Sequence, residues 1–288
     1  MNSYLAKKDY YNELIEDALR ESLPVEKASE KVLKAMRYSL LGGGKRIRGM
    51  LTLACFELFD DRIELALPAA VAIEMVHAYS LIHDDLPCMD DDDTRRGKAA
   101  CHIAFGEAVA LLAGDALLTR GLGMLSDISD PLVAKRCLKL LSEAAGFQGM
   151  VRGQEMDLTL LDKKSIKKSE LNKIYALKTG KMCTAAAAMG AVIGNSSDDD
   201  LLIIEESIDK IGLSFQIIDD LIDAPSTKDD IPDDEECRIS YLTLYDSNTC
   251  RTAAKKLTDE AIEILNNRFK SKAWFITQLA ENLFARTK

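Results

Sequence analysis

No two of the seven cysteines in this 288-residue chain stand at C-x-x-C spacing, and seven is an odd number. Both facts argue against a disulfide framework and against structural zinc, and they favour reduced thiols in a cytosolic protein. Positive charge is in deficit. Lys and Arg number 37 against 47 Asp and Glu, and the net charge of −10 argues against non-specific nucleic-acid binding. No Pro-, Gly- or Ser-rich linker divides the chain, so one domain over residues 1–288 is expected, near the ~250–300-residue limit of a single core. The opening MNSYLAKKDYYNEL has no apolar signal core. The run AAAAMGAVIG at 185–194 falls short of the ~20 residues that span a bilayer. A cytoplasmic location without membrane insertion is therefore expected. No serine or cysteine nucleophile with a convincing triad offers itself.

What the chain has is helical periodicity. Apolar residues recur at three- and four-residue spacing over 9–22, 27–41, 45–59, 66–85, 101–126, 131–147, 169–194, 199–223, 249–268 and 273–285. No strand-and-turn series with period two is present. Pro24, Pro68, Pro87, Pro131, Pro225 and Pro232 mostly fall at the starts or ends of these stretches, where a missing N–H is tolerated. The expected fold is all-α, with antiparallel helices around a central active-site cavity.

Two carboxylate stripes stand out. In IGLSFQIIDDLIDAP, residues 211–225, Gln216, Asp219, Asp220 and Asp223 lie at i, i+3, i+4 and i+7, one face of a helix. Ile217, Ile218, Leu221 and Ile222 cover the rest. A narrow polar stripe on an apolar rod belongs to a buried helix facing a cavity, where a cation offsets the cost of bare carboxylates. In SLIHDDLPCMDDDDTRRGK, residues 80–98, six aspartates fall between Asp84 and Asp93. His77, Ser80 and Asp84 again share one face, and Pro87 stops the helix just after Asp85. Asp90 returns from a loop two residues longer than a DDxxD turn. A helix C-terminus is a poor place for bare negative charge, which strengthens the case for a metal. Carboxylates without His or Cys partners suit Mg²⁺, which completes its shell with water and substrate phosphate. Asp91–Asp93, Asp198–Asp200 and the acidic run over 229–236 read instead as solvated charge.

Basic residues gather in three clusters, Lys45–Arg46–Arg48, Arg95–Arg96–Lys98 and Lys178–Lys181, which in an acidic chain points to a small anionic ligand. LLGGGKRIRGM, residues 40–50, is not a Walker A loop, because Arg46 rather than Ser or Thr follows Lys45. Its glycines let backbone approach an anion, and Lys45 and Arg48 supply charge one turn apart. Lys178 and Thr179, in YALKTGK, lie on a long helix rich in small residues. The lysine there either snorkels or points at phosphate.

GGGKRIR, HAYSLIHDDLPCMDDDDTRRGK, GMVRGQEMDL, ALKTGKM and FQIIDDLID occur in this order, and together they resemble the motifs of the trans-isoprenyl diphosphate synthases. The resemblance is strong over residues 30–225. It implies the isoprenoid synthase fold, usually homodimeric, and Mg²⁺, three ions per site with substrate bound. It implies that Asp84, Asp85, Asp90, Asp219, Asp220 and Asp223 hold metal on the allylic diphosphate, with Asp157 as a further ligand and Gln154 touching substrate. Lys45, Arg48, His77 and Arg96 would bind isopentenyl diphosphate. Arg95, Lys178, Thr179 and Gln216 would bind the allylic diphosphate, and with Asp84 and Asp85 would carry the catalytic step. An aromatic at Tyr79, beside Ser80, together with the longer first loop resembles the bacterial farnesyl synthases and implies a fifteen-carbon product.

Downstream the pattern departs. The family's Gly-Lys, Asp and Lys-x-Thr-Tyr-Pro are replaced by APSTKDDIPDDEECRISYLTLY, where Arg238 and Tyr241 stand for the Lys and Tyr and Leu242 for the proline. Residues 224–240 are expected to be mobile and to close on substrate, drawing in Lys228 or Arg238. A terpene cyclase would show an Asn/Asp-Asp-x-x-Ser/Thr-x-x-x-Glu second motif, which residues 219–227 lack, and would leave GGGKRIR without a task. A geranylgeranyl diphosphate synthase, or a non-catalytic partner subunit of a synthase, is the alternative.

Overall fold

The computed structural model describes residues 3–23, 30–160, 166–223 and 240–287. The expected closure of the 224–240 segment, with Lys228 and Arg238, falls on 224–239 and lies outside the described residues. The chain forms two compact units, Met1–Ser142 with Met189–Asn195, and Glu143–Ala188 with Ser196–Lys288.

The first unit opens with α1 (Tyr4–Ser22), capped by the Ser3 side chain, which accepts the Ala6 N–H at 3.2 Å. Tyr11, Ile15 and Leu19, four residues apart, bury one side of it completely. Next come α2 (Lys31–Leu40), α3 (Ile47–Phe56) and α4 (Leu67–Asp84). Every residue of α4 from Ala69 to Val76 is buried, and Pro68 sits in its first turn, where it costs no hydrogen bond. A two-residue hairpin follows, β1 (Thr94–Arg95) paired antiparallel with β2 (Lys98–Ala99). The periodicity expects one helix over 101–126. The chain instead breaks at Gly106, whose φ of 90° ends α5 (Cys101–Phe105) before α6 (Glu107–Met124) begins. α6 packs along α4. Then α7 (Pro131–Ala145) starts at a proline, with Asp130 Oδ1 accepting the Leu132 N–H at 2.8 Å.

The second unit holds α8 (Met150–Leu158), α9 (Lys168–Tyr175), a π-helical turn over Ala176–Gly180 and α10 (Lys181–Ile193), the last residues of which belong to the first unit. The periodicity missed α8, which is only nine residues long and includes a glycine. α11 (Asp198–Asp223) is capped by Ser197 Oγ, which accepts the Asp200 N–H at 3.1 Å. Its three leading aspartates complement the helix dipole, so this acidic run has a structural role beyond solvation. Leu201, Ile204, Ile208 and Ile211 form the buried stripe. α12 (Ser247–Phe269) packs on it through Cys250, Ala254, Thr258, Ala261 and Leu265, and Ser214 Oγ donates to the Ala254 carbonyl at 2.9 Å. α13 (Trp274–Phe284) closes the described chain.

Two helical stretches, Ile63–Asp84 and Glu107–Asp127, are long and apolar enough to cross a membrane by length and composition alone. In the first, 67% of the apolar window is buried inside the protein, as in a core helix; in the second only 39% is.

Candidate active site

In the first unit, α4 ends where the aspartates begin. Asp84 is its last residue, and Asp85 caps it with its N–H on the Leu81 carbonyl at 3.2 Å. The loop then folds back on itself. The Asp90 N–H bonds to the Asp84 carbonyl at 2.8 Å, and Asp91, in the left-handed region at φ 52°, bonds to the Leu86 carbonyl at 3.2 Å. This closure brings the backbone of Asp90 back beside that of Asp84. Both carboxylates are half-buried. Asp85 differs, being only 2% exposed and accepting from Arg95 Nε at 2.8 Å and from Arg95 Nη2. Burial raises its pKa, and the Arg95 pairing opposes that shift.

The hairpin aims the arginines. Arg96 and Gly97 form its turn with φ values of 54° and 73°, the two left-handed positions of a type I′ turn. Arg95, on β1, reaches Asp85 and also Asp92 at 3.1 Å. Arg96 donates to the Gly43 carbonyl, and its guanidinium lies over Gly44. A Cβ on Gly44 would stand 2.9 Å from Arg96 Cζ, and the φ of 136° there already favours glycine. GGGKRIR thus has a steric reason for its third glycine.

Its three basic residues divide their work. Arg46 adopts φ 49° at the start of α3 and is 3% exposed. Its Nε lies 2.7 Å from Glu16 Oε1, its Nη2 donates to the Leu40 carbonyl at 2.6 Å, and its Nη1 is 3.5 Å from Glu74 Oε2. Arg46 therefore holds α1, α3 and α4 together, a role the sequence pattern did not disclose. Lys45 is exposed, while Arg48 is half-buried and its Nε is a buried donor with no hydrogen-bond partner in the protein. His77 is held well below its ordinary pKa, first by burial and then by Arg48, Arg96, Arg46 and Arg95. The imidazole is accordingly neutral at pH 7, in a positive field with a spare donor, which suits an anion. Ser80 Oγ donates to the His77 carbonyl at 2.9 Å, and Tyr79 is 7% exposed beneath the aspartates.

In the second unit, α8 carries Gln154 and Asp157, and the π turn carries Lys178 and Thr179. Lys178 Nζ donates to Asp157 Oδ2 at 2.5 Å. The lysine is thus neither simply snorkelling nor solvated. Gly153 makes the pairing possible, since a Cβ there would stand 2.3 Å from the Lys178 backbone nitrogen. On α11, Gln216 and Asp219 are half-buried and Asp223 is exposed. Asp219 Oδ1 lies 2.8 Å from Arg286 Nη1, and that guanidinium sits 5.0 Å over the Phe215 ring. Asp220 Oδ2 accepts the Tyr175 hydroxyl at 2.6 Å and the Tyr241 N–H at 2.7 Å. Burial raises the Asp220 pKa against both hydrogen bonds. Tyr241 stacks on Tyr175 with centroids 5.8 Å apart and donates its hydroxyl to Asn172 Oδ1. Tyr241 and Arg286 are therefore contacts of the second stripe. Of the two, only Tyr241 was singled out by the sequence, through its place in the diverged segment.

The sequence profile described as Polyprenyl synthetase matches residues 29–279, through both units. The chain belongs to the polyprenyl synthetase family. This polyprenyl synthetase is 42% identical to the farnesyl diphosphate synthase of Geobacillus stearothermophilus over 79% of its own length and 78% of the other's. It is 40% identical to the heterodimeric geranylgeranyl pyrophosphate synthase large subunit 1 of Arabidopsis thaliana, over 86% of this chain and 70% of that one. Among solved structures, the apo FPP/GFPP synthase of Zymomonas mobilis superposes with a TM-score of 0.89 at 36% identity, covering 98% of this chain and all of the other. The fold is accordingly the all-α isoprenoid synthase fold. The polyprenyl synthetase is a prenyltransferase of isoprenoid biosynthesis, its substrates isoprenoid diphosphates, and its family is generally Mg²⁺-dependent.

The donor set suits that ion. Mg²⁺ binds through one or two carboxylates and leaves the rest of its shell to water and phosphate. Among the described residues no three His, Cys, Asp or Glu come together closely enough to hold a metal ion by themselves. The exposed or half-buried Asp84, Asp90, Asp219 and Asp223 offer oxygen ligands of the right hardness. Each unit also holds a buried guanidinium Nε without a hydrogen-bond partner, that of Arg48 in the first and that of Arg286 in the second.

Proposed function

We propose that this polyprenyl synthetase condenses isopentenyl diphosphate with dimethylallyl or geranyl diphosphate and releases mainly farnesyl diphosphate. The observation that carries the product length is Tyr79, a buried ring five residues before Asp84 on α4 and so more than one helical turn, ~7.5 Å of rise, from the diphosphate end. A bulky ring at that depth acts as a floor for a fifteen-carbon chain, with the smaller Ser80 beside it.

Bound Mg²⁺, three ions per site, would neutralise charge on the departing diphosphate. Asp84, Asp90, Asp219 and Asp223 hold it directly in this reading. Asp85 and Asp220, already engaged by Arg95 and by Tyr175 and Tyr241, hold the ends of their helices in register and add charge at a second remove. Asp157 contributes a further oxygen once Lys178 turns from it to phosphate, and Gln154 and Gln216 position substrate. Arg95, Lys178 and Thr179 bind the allylic diphosphate and stabilise it as it leaves. Lys45, Arg48, His77 and Arg96 bind isopentenyl diphosphate. The C–O bond ionises to an allylic cation, the double bond of isopentenyl diphosphate attacks it, and the released diphosphate takes the proton. Apolar surroundings keep water from the cation.

The family match running through both units supports their working as one domain. The exposed leucines of α6, Leu111 at 47% and Leu112 at 53%, support a homodimer. A cytoplasmic location goes with this reading. Incubating the pure chain with isopentenyl diphosphate, geranyl diphosphate and Mg²⁺, then separating the products by chromatography, tests it. Fifteen carbons are expected. Mainly twenty would make the chain a geranylgeranyl diphosphate synthase, like its Arabidopsis relative. No product from the pure chain would make it a partner subunit. Tyr79→Ala should lengthen the product to twenty carbons or more.

A further inference from the structure

His83, in the first unit, takes no part in the diphosphate sites proposed above. His83, the residue before Asp84, lies one helical turn beyond Tyr79 on α4, so the two side chains are neighbours. Their rings meet edge to face, with centroids 5.7 Å apart and planes at 82°. The far side of the imidazole is fixed by α6. Nε2 lies 3.0 Å from the Leu111 carbonyl, to which it donates as the Nε2–H tautomer, and 3.9 Å from Asp115 Oδ1.

Gly114 makes room for this. A Cβ at that position would stand 2.1 Å from His83 Nε2 and 2.4 Å from Cδ2, so any other residue would displace the ring. Tyr79 is thus braced by a ring that is itself seated in a notch of the neighbouring helix.

We propose that His83, seated on Gly114, is a specificity-determining positioning residue that sets where the Tyr79 ring stands and thereby where the prenyl chain stops growing. The proposal rests on the reading of Tyr79 as the floor. Without His83, the aromatic edge has no wall behind it and swings into the vacated space, deepening the cavity. A shift of the His83 ring imposed from α6 is transmitted to Tyr79 by contact.

The test compares product spectra of full-length His83→Ala, His83→Phe, Gly114→Ala and Tyr79→Ala, with kcat, KM for geranyl diphosphate and Tm alongside. His83→Ala should raise the share of products of twenty carbons or more at least about fivefold. His83→Phe, which restores an edge-on ring, should return the wild-type spectrum. Gly114→Ala, which changes no residue of α4, should alter the ratio of fifteen- to twenty-carbon products. A merely structural contact would lower Tm in His83→Ala and Gly114→Ala and leave the spectrum alone. If Tyr79→Ala lengthens the product while His83→Ala and Gly114→Ala do not, the proposal is overturned and the floor stands. If Tyr79→Ala changes nothing, the floor lies elsewhere and the proposal falls with it.

Discussion

Gly153→Ala isolates the packing that holds Lys178. The added Cβ would stand 2.3 Å from the Lys178 nitrogen and 2.6 Å from its Cα. Both atoms are backbone and cannot rotate away. Restoring an ordinary ~3.5 Å separation requires a relative shift of roughly 1 Å between α8 and the π turn. Overpacking of this kind costs about 1–3 kcal/mol, or roughly 2–10 °C in Tm for a chain of this size. The larger effect is on chemistry. Lys178 and Thr179 move with the turn, and a displacement of ~1 Å at a positioning group costs on the order of 100-fold in rate. Steady-state kcat/KM with geranyl and isopentenyl diphosphates, at a temperature where the variant is folded, reads that loss. Lys178→Ala alone and combined with Gly153→Ala separates the two effects. If the methyl acts through Lys178, the double variant should be little slower than Lys178→Ala, although its stability still falls. A folded Gly153→Ala enzyme with near-wild-type kcat/KM would refute the reasoning.

Asp84→Ala and Asp219→Ala should each lower kcat by at least ~100-fold, the scale of losing one stabiliser of transition-state charge; near-normal turnover in both would remove the metal assignment. Arg46→Leu leaves the 3%-exposed Glu74 without its counter-ion and Glu16 with Arg20 at 3.4 Å, and urea unfolding should register a loss of about 3–5 kcal/mol. A loss under ~1 kcal/mol would mean that the two glutamates find other partners. The neutral form of His77 is favoured by the fold, so its folded pKa lies below the unfolded 6.5. Below about pH 6.5 the unfolded chain binds a proton that the folded one refuses, and stability falls as pH drops, by up to ~1.4 kcal/mol per pH unit. His77→Gln should flatten that limb in urea titrations at pH 7, 6 and 5, and an unchanged slope would contradict the shift.

The helical architecture was legible where burial along a half-exposed helix repeats every three or four residues, as with Tyr11, Ile15 and Leu19 in α1. The second stripe was legible for the inverse reason, carboxylates on an otherwise apolar helix. Where side chains do not announce themselves by period, the sequence was silent. Arg46 looks like its neighbours Lys45 and Arg48, and only tertiary structure selects it for burial between Glu16 and Glu74. Tyr175 and Tyr241 reach Asp220 from 45 and 21 residues away, and no local pattern connects them. The break at Gly106 and the π turn at Ala176–Gly180 depend on backbone angles and hydrogen-bond register, which periodicity averages over.

The hydrogen bond from the Asp90 N–H to the Asp84 carbonyl makes residues 85–89 a closed detour, entered and left at nearly the same point. The Met89 and Asp91 N–H groups both turn onto the Leu86 carbonyl, at 2.8 and 3.2 Å, so the detour is braced from within as well as shut at its mouth. Pro87 and Cys88 are exposed at its outer edge, spanned by the Met89-to-Leu86 hydrogen bond. Asp84 and Asp90, with five residues of loop between them, are thus neighbours through their own backbone before any ligand is considered.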